Sequence, residues 1–213
     1  MPKSGEYFFT PFLAKTDYYS GRVYYRVVKN DTDLARLSKE IRSAAPLKFA
    51  AFTATHAYAI TWYKMASYYD TSRTNTYQCV LVTNQLNSFL IFNYDKLDYA
   101  LAYKNYFNSY DKHYAQVDIN AGDGRTFYTV EDSYSSQINV TMATTSNVRK
   151  PGKHIFRVDA YDKHMNKTSS SSSRSFLVRP RPLSLLSSKH VLISVTIIVI
   201  AIASLAILIV KLK

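Results

Sequence analysis

A chain of 213 residues has room for one ordinary domain and a short appendage. With 47% apolar residues, a single cysteine (Cys79) and five glycines, it is not wholly disordered, disulfide-stapled, collagen-like, or built on a thiolate zinc or iron–sulfur cluster. Lys and Arg number 27 against 15 Asp and Glu, a formal charge of +12. The cations are scattered, so the charge reads as solubility plus an attraction to anionic cell-surface or matrix polymers, and no nucleic-acid partner is expected.

Nineteen tyrosines and eleven phenylalanines point to a β-rich domain, because aromatics suit pleated, half-buried surfaces. A tyrosine-rich binding surface is the alternative. In chain order, residues 21–28 (GRVYYRVV) read as a strand and residues 30–33 as a polar turn that caps a helix. Residues 33–45 place Leu34, Leu37 and Ile41 at helical spacing, and Pro46 stops the run. This is the one helix expected in the globular part, packed on a sheet. Residues 49–65 form a long apolar-aromatic stretch. Residues 76–83 (TYQCVLVT) and 88–94 (SFLIFNY), joined by a short polar link, read as a β-hairpin with Cys79 buried inside it. Residues 115–120 and 126–130 read as strands around an Asp123-Gly124 turn. Residues 138–142 and 154–161 complete the strand series, and the five serines at 169–173 mark a flexible stalk.

Catalytic and metal signatures are missing. The histidines, among them His56, His113 and His154, show no H-E-x-x-H spacing, and there is no phosphate-cradling glycine loop and no G-x-S-x-G. Counted as a calcium loop from Asp118, positions 5, 6 and 12 hold Gly122, Asp123 and Thr129, which is the wrong donor set. No catalytic residue, cofactor or metal is therefore assigned. A hydrolase would need one of the three histidines to meet an acidic or nucleophilic partner in a pocket.

Residues 191–210 (VLISVTIIVIAIASLAILIV) carry no formal charge. About 20 apolar residues at 1.5 Å rise span a hydrocarbon core of about 30 Å, so a single membrane-spanning helix is expected. Arg174, Arg179, Arg181 and Lys189 precede it and Lys211 and Lys213 follow it. That count, with no signal-peptide core near the first residues, describes a tail-anchored protein with a cytosolic interaction domain. Three N-x-[ST] sequons, at Asn30, Asn139 and Asn166, favour the opposite orientation as candidate N-glycosylation sites.

The order of blocks resembles the NIDO domain, the extracellular module of the nidogen and alpha-tectorin type. The residues that carry it are Thr10-Pro11-Phe12-Leu13-Ala14 with Asp17, Gly21-Arg22-Val23-Tyr24-Tyr25-Arg26, and Ile60-Thr61-Trp62-Tyr63. They continue with Asn75-Thr76-Tyr77-Gln78-Cys79-Val80-Leu81, Ser88-Phe89-Leu90-Ile91-Phe92-Asn93-Tyr94, Asn120-Ala121-Gly122-Asp123-Gly124 and Phe156-Arg157-Val158. Lys15 departs from an acidic position. The family usually has further strands upstream of the Pro-Phe block and a signal peptide. The resemblance therefore implies a domain that is N-terminally incomplete, as in a chain that begins inside a longer gene product.

The resemblance further implies an extracellular, non-enzymatic module of cell–matrix adhesion whose partners are extracellular matrix or cell-surface proteins. The expected fold class is α+β, mostly β: antiparallel, sandwich-like sheets with one packed helix, plus a C-terminal transmembrane helix. The expected organisation is a NIDO-like extracellular domain at 8–160, a Ser-rich stalk at 161–190, a transmembrane helix at 191–210 and a short cytoplasmic tail at 211–213. The expected location is the cell membrane, single-pass, with the domain outside.

Overall fold

A computed structural model of the protein describes residues 7–104, 112–121 and 127–159. The strands are β1 (Tyr7–Leu13), β2 (Arg22–Val28), β3 (His56–Ala66), β4 (Thr74–Thr83), β5 (Ser88–Leu97), β6 (Leu101–Lys104), β7 (Lys112–Tyr114), β8 (Gln116–Ala121), β9 (Phe127–Thr129) and β10 (Lys153–Arg157). Three helices accompany them, α1 (Asp31–Ala44), α2 (Pro46–Phe49) and α3 (Ile138–Thr144). The chain divides into two units. The described part of the smaller is Tyr7, Phe8, Asn120, Ala121 and Phe127, at the ends of β1, β8 and β9. The larger, Phe9–Ile119 with Tyr128–Ser173, holds every feature argued below.

Its centre is a five-stranded sheet in the order β10-β5-β4-β3-β2, antiparallel throughout. Strands β1, β8 and β9 make a three-stranded sheet, and β6 with β7 a two-stranded one. Pro11 lies within β1, which is tolerable because β1 is an edge strand of its sheet and proline cannot donate to a ladder.

Side chains alternate across the large sheet, so β3, β4, β5 and β10 feed two cores, while β2 buries only Val28. One face carries Val28, Ala57, Ala59, Val80, Val82, Phe89, Ile91 and Ile155, which cluster with Leu37 and Ile41 of α1 and with Phe49 and Phe52. Phe89 meets Phe49 and Phe52 edge-on, with ring centroids 5.0 and 5.1 Å apart. Ser38 ties α1 to the loop before β3: its Oγ donates to Leu34 O at 2.7 Å and accepts from the Ala54 N–H at 2.8 Å. The other face carries Ile60, Trp62, Tyr77, Cys79, Leu90, Phe92, Tyr94, His154 and Phe156, all buried. Phe12 of β1 packs on Tyr77 and Tyr94, and Tyr128 of β9 on Phe156.

Several sequence expectations hold. The β4–β5 hairpin pairs as expected from Thr83↔Ser88 to Tyr77↔Tyr94, and β2 and β8 lie where the pattern put them. Others need correction. Residues 138–142 are not a strand but open helix α3. Their β-branched composition suggested extension, yet Ile138 and Met142 stand four apart, and both are fully buried. The expectation of one helix fails for the same reason, and because Pro46, which stops α1 as expected, also starts the short α2 at a position that needs no N–H. The long stretch 49–65 begins its strand only at His56, and the strand expected over 154–161 ends at Arg157. No helix among the described residues is long and apolar enough to cross a membrane. The Gly122–Gly124 turn, Asn166, and the stalk, span and tail expected beyond residue 160 lie outside the described residues.

Candidate functional site

The helix-side face of the large sheet changes character along its strands. Register places Val28, Ala57, Val82 and Phe89 in one row, and Ala59, Val80, Ile91 and Ile155 in the next. The third row is Tyr24–Thr61–Gln78–Asn93–Lys153. Its centre is polar and internally bonded: Gln78 Nε2 donates to Thr61 Oγ1 at 2.8 Å, and Asn93 Nδ2 donates to Gln78 Oε1 at 3.2 Å. Asn93 Oδ1 accepts no hydrogen bond among the described residues. At the β10 end, Lys153 Nζ pairs with Glu40 of α1 at 2.5 Å.

Beyond this row the pairing is irregular on both sides of Thr76. Between β3 and β4 the register shifts between Trp62 and Met65, leaving Tyr63 and Lys64 opposite Thr76 alone. Between β4 and β5 it shifts after Thr76, leaving Asp95 as the extra residue. Such bulges bend a strand and re-aim side chains. Lys64 takes φ 50°, and its N–H donates to Thr76 Oγ1 at 3.0 Å. Gly21, at φ 81°, lies directly against this bulge: a Cβ there would stand 2.7 Å from Lys64 O. The result is an open groove of about 320 Å³ lined by Thr61, Thr76, Gln78, Asn93 and Asp95 with Tyr77 and Tyr94.

Tyrosines border the same region. Tyr24 and Tyr63 are both exposed, with ring centroids 6.3 Å apart, and Lys64 Nζ stands 5.2 Å from the Tyr63 ring. Next along the edge, Tyr25 is 75% exposed. A second group gathers around Lys15, whose Nζ lies 4.0 Å from the Tyr68 ring and 5.5 Å from Tyr69. The tyrosine excess is thus divided: Tyr77, Tyr94 and Tyr99 are buried, while Tyr24, Tyr25, Tyr63 and Tyr68 are exposed.

A family model described as the nidogen-like domain matches residues 1–160. The chain belongs to the nidogen-like domain family. Among curated proteins it is 31% identical to alpha-tectorin of Gallus gallus over 144 residues (65% of this chain, 7% of that protein). It is 29% identical to alpha-tectorin of Homo sapiens over 181 residues (82% and 8%) and 32% identical to nidogen-2 of Mus musculus over 93 residues (39% and 7%). The chain therefore spans less than a tenth of the length of these relatives. No solved structure matches it significantly.

The buried titratable groups of this nidogen-like domain lie elsewhere. Burial pushes the Cys79 thiol well above its ordinary value, which removes it as a nucleophile. Burial likewise raises the Tyr77 and Tyr94 hydroxyls, which donate to Phe12 O at 3.1 Å and Pro11 O at 2.6 Å. His154 is driven down to about 4 by desolvation, with Nε2 3.4 Å from Met142 O and Nδ1 without a partner. Asp118 is raised by burial, offset in part by hydrogen bonds from Gln116, Thr129 and Tyr134. His56 opens β3 on the surface, and His113 lies on β7 beside the Tyr103 ring, so the three histidines considered for hydrolysis sit on three different strands. Among the described residues no group of three His, Cys, Asp or Glu side chains could hold a metal ion.

Two sequon asparagines are described. Asn30 is exposed and caps α1: its Oδ1 accepts from the Asp33 N–H at 2.7 Å, and its Nδ2 donates to Asp33 Oδ2 at 3.0 Å. Asn139, half-buried in α3, donates from Nδ2 to Leu97 O at 3.1 Å. Each amide has a second N–H hydrogen not needed for these bonds.

The groove was not singled out from sequence. Its signal is nonetheless present: Thr76 and Gln78 continue the inward alternation set by Val82 and Val80 with polar residues.

Proposed function

We propose that the chain is a non-enzymatic, membrane-anchored adhesion module. The nidogen-like domain at 8–160 stands outside the cell, residues 161–190 form a Ser-rich stalk, 191–210 a single transmembrane helix and 211–213 a short cytoplasmic tail. The observation that carries this reading is the family match, because the relatives it connects, alpha-tectorin and nidogen-2, are extracellular matrix proteins. The uncharged 20-residue run supports the anchor.

The mechanism is surface complementarity. Exposed Tyr24, Tyr25, Tyr63 and Tyr68, with Lys15 and Lys64 against tyrosine rings, are aromatic and cationic groups of the kind that interfaces favour. The partners are extracellular matrix or cell-surface proteins. Asn30, Asn139 and Asn166 are the proposed N-glycosylation sites. The exposure of Asn30 supports the first, and the spare N–H on each described amide leaves the attachment compatible with the bonds seen.

A second reading is a tail-anchored protein with its interaction domain in the cytosol. It is favoured by four cations before the apolar run, Arg174, Arg179, Arg181 and Lys189, against two after it. Antibody labelling of an N-terminal tag on intact, unpermeabilised cells separates the two. Labelling, with an endoglycosidase mobility shift abolished by removing the three asparagines, is the expected result. A tag reached only after permeabilisation, with no glycan, overturns the first reading in favour of the second.

A further inference from the structure

The geometry points to a binding site for a neutral oligosaccharide chain in the groove between the two bulges. This deepens the adhesion reading by naming a ligand class, and rests on it only for the supply of glycans at the cell surface.

The bland alternative is a solvated patch of sheet, and three observations stand against it. First, Thr61, Gln78 and Asn93 hold one another in a continuous row, at 2.8 and 3.2 Å, so their remaining donors and acceptors are already oriented. Preorganised groups give up little freedom on binding. Second, the irregularities in β3 and β5 lie at the same level, one on each side of Thr76, and open the groove there. The strained Lys64 backbone at φ 50° is held between Gly21 and Thr76. Third, the exposed rings of Tyr24 and Tyr63 stand 6.3 Å apart next to the β2 end of the row, where register pairs Tyr24 with Thr61.

These chemistries match a sugar better than a charged or peptidic ligand. Each sugar hydroxyl both donates and accepts, as the amide and hydroxyl groups of the row require. The C–H face of a pyranose ring suits the exposed tyrosine rings. A peptide strand would seek an open sheet edge for its backbone bonds, whereas this groove lies over paired strands. Asp95 is the formally charged residue among the groove's lining, Lys153 at the β10 end is tied to Glu40, and Lys64 stands against the Tyr63 ring, so the heparin comparator below tests directly whether anionic chains are preferred. The groove, about 320 Å³, is open to solvent, so a ligand would lie across it and not be enclosed by it.

The test applies the full chain, in detergent micelles, to immobilised N-acetyllactosamine and mannose hexasaccharides, with a heparin hexasaccharide and a strand-forming peptide as comparators. Retention on at least one neutral glycan is expected. Binding should weaken by about ten-fold in Gln78→Ala and Tyr63→Ala, the scale of one or two lost contacts. Tyr63 is exposed, so its variant keeps the test sound if Gln78→Ala fails to fold, and an unchanged thermal midpoint documents this. Asp95→Lys should shift retention toward heparin. Retention on neither neutral glycan, preference for heparin or the peptide in the unmodified chain, or neutral binding indifferent to the folded variants each overturns the site. The tag-labelling experiment is decided separately: surface exposure without glycan binding sinks only the groove, and glycan binding with a cytosolic tag sinks only the orientation.

Discussion

The two faces of the five-stranded sheet are built from the same strands but obey different chemistry. On the helix side the core is aliphatic around Phe89, with Phe49 and Phe52 edge-on to its ring. On the β1 side it is filled with polar-tipped rings: Tyr77, Tyr94 and His154 lie among Phe92, Phe156 and Trp62. Trp62 and Tyr77 stack at 5.0 Å with 16° between planes. The first core is apolar within, with Ser38 hydrogen-bonded at its margin. The second also needs each buried polar tip to find a partner, and at His154 Nδ1 it does not. The two faces are therefore expected to differ in their response to acid.

The largest effect expected on either face is Phe89→Ala. Emptying the centre of the helix-side core should cost about 3–5 kcal/mol in chemical denaturation. That cost should be the same at pH 7 and pH 5, since no titratable group belongs to this cluster.

Acid is expected to act on the other face. The folded His154 has a pKa of about 4 against an ordinary 6.5, so between these values the unfolded chain binds the proton and the folded chain does not. Stability should fall as pH drops from 6.5 toward 4, by up to about 3 kcal/mol from this group. Asp118, whose pKa is raised by burial, works in the opposite direction, favouring the folded state as pH falls toward 3.8. The difference between wild type and His154→Leu in urea titrations from pH 4 to 7 isolates the histidine. A difference that does not change with pH would break the contrast between the faces.

A smaller loss, about 1–2 kcal/mol, is expected from Tyr94→Phe, which keeps the ring but deprives Pro11 O of its 2.6 Å donor. Smallest is Asn30→Ala, measured on protein made without glycosylation. Losing the 2.7 Å cap to the Asp33 N–H should cost about 1 kcal/mol on the helix side, read as a lower thermal midpoint.

Much of this was legible in the chain itself. The β4–β5 hairpin announced itself because two runs rich in β-branched and aromatic residues flank the short, mostly polar link at 84–87. Helix α1 did so through Leu34, Leu37 and Ile41 and its capping Asn30. What escaped was decided by neighbours. Helix α3 is written in residues that favour strands, and only the burial of Ile138 and Met142 overrides them. Strand β1 hid behind Pro11. The groove hid because Thr61, Gln78 and Asn93 are far apart in sequence, and only register brings them into one row. Strand β2 was recognised, but not that six of its seven residues are exposed.

That last feature reaches beyond binding. An outermost strand bare on both faces, with Val23, Tyr25 and Val27 in the open, is a template onto which a stray chain could stack and seed fibres. Arg22 and Arg26 break up its apolar run, and Asp33 grips Arg26 at 3.0 Å, fixing a cation beside the rim. The two arginines act as gatekeepers, and crowded conditions during biosynthesis are where their loss would be felt first.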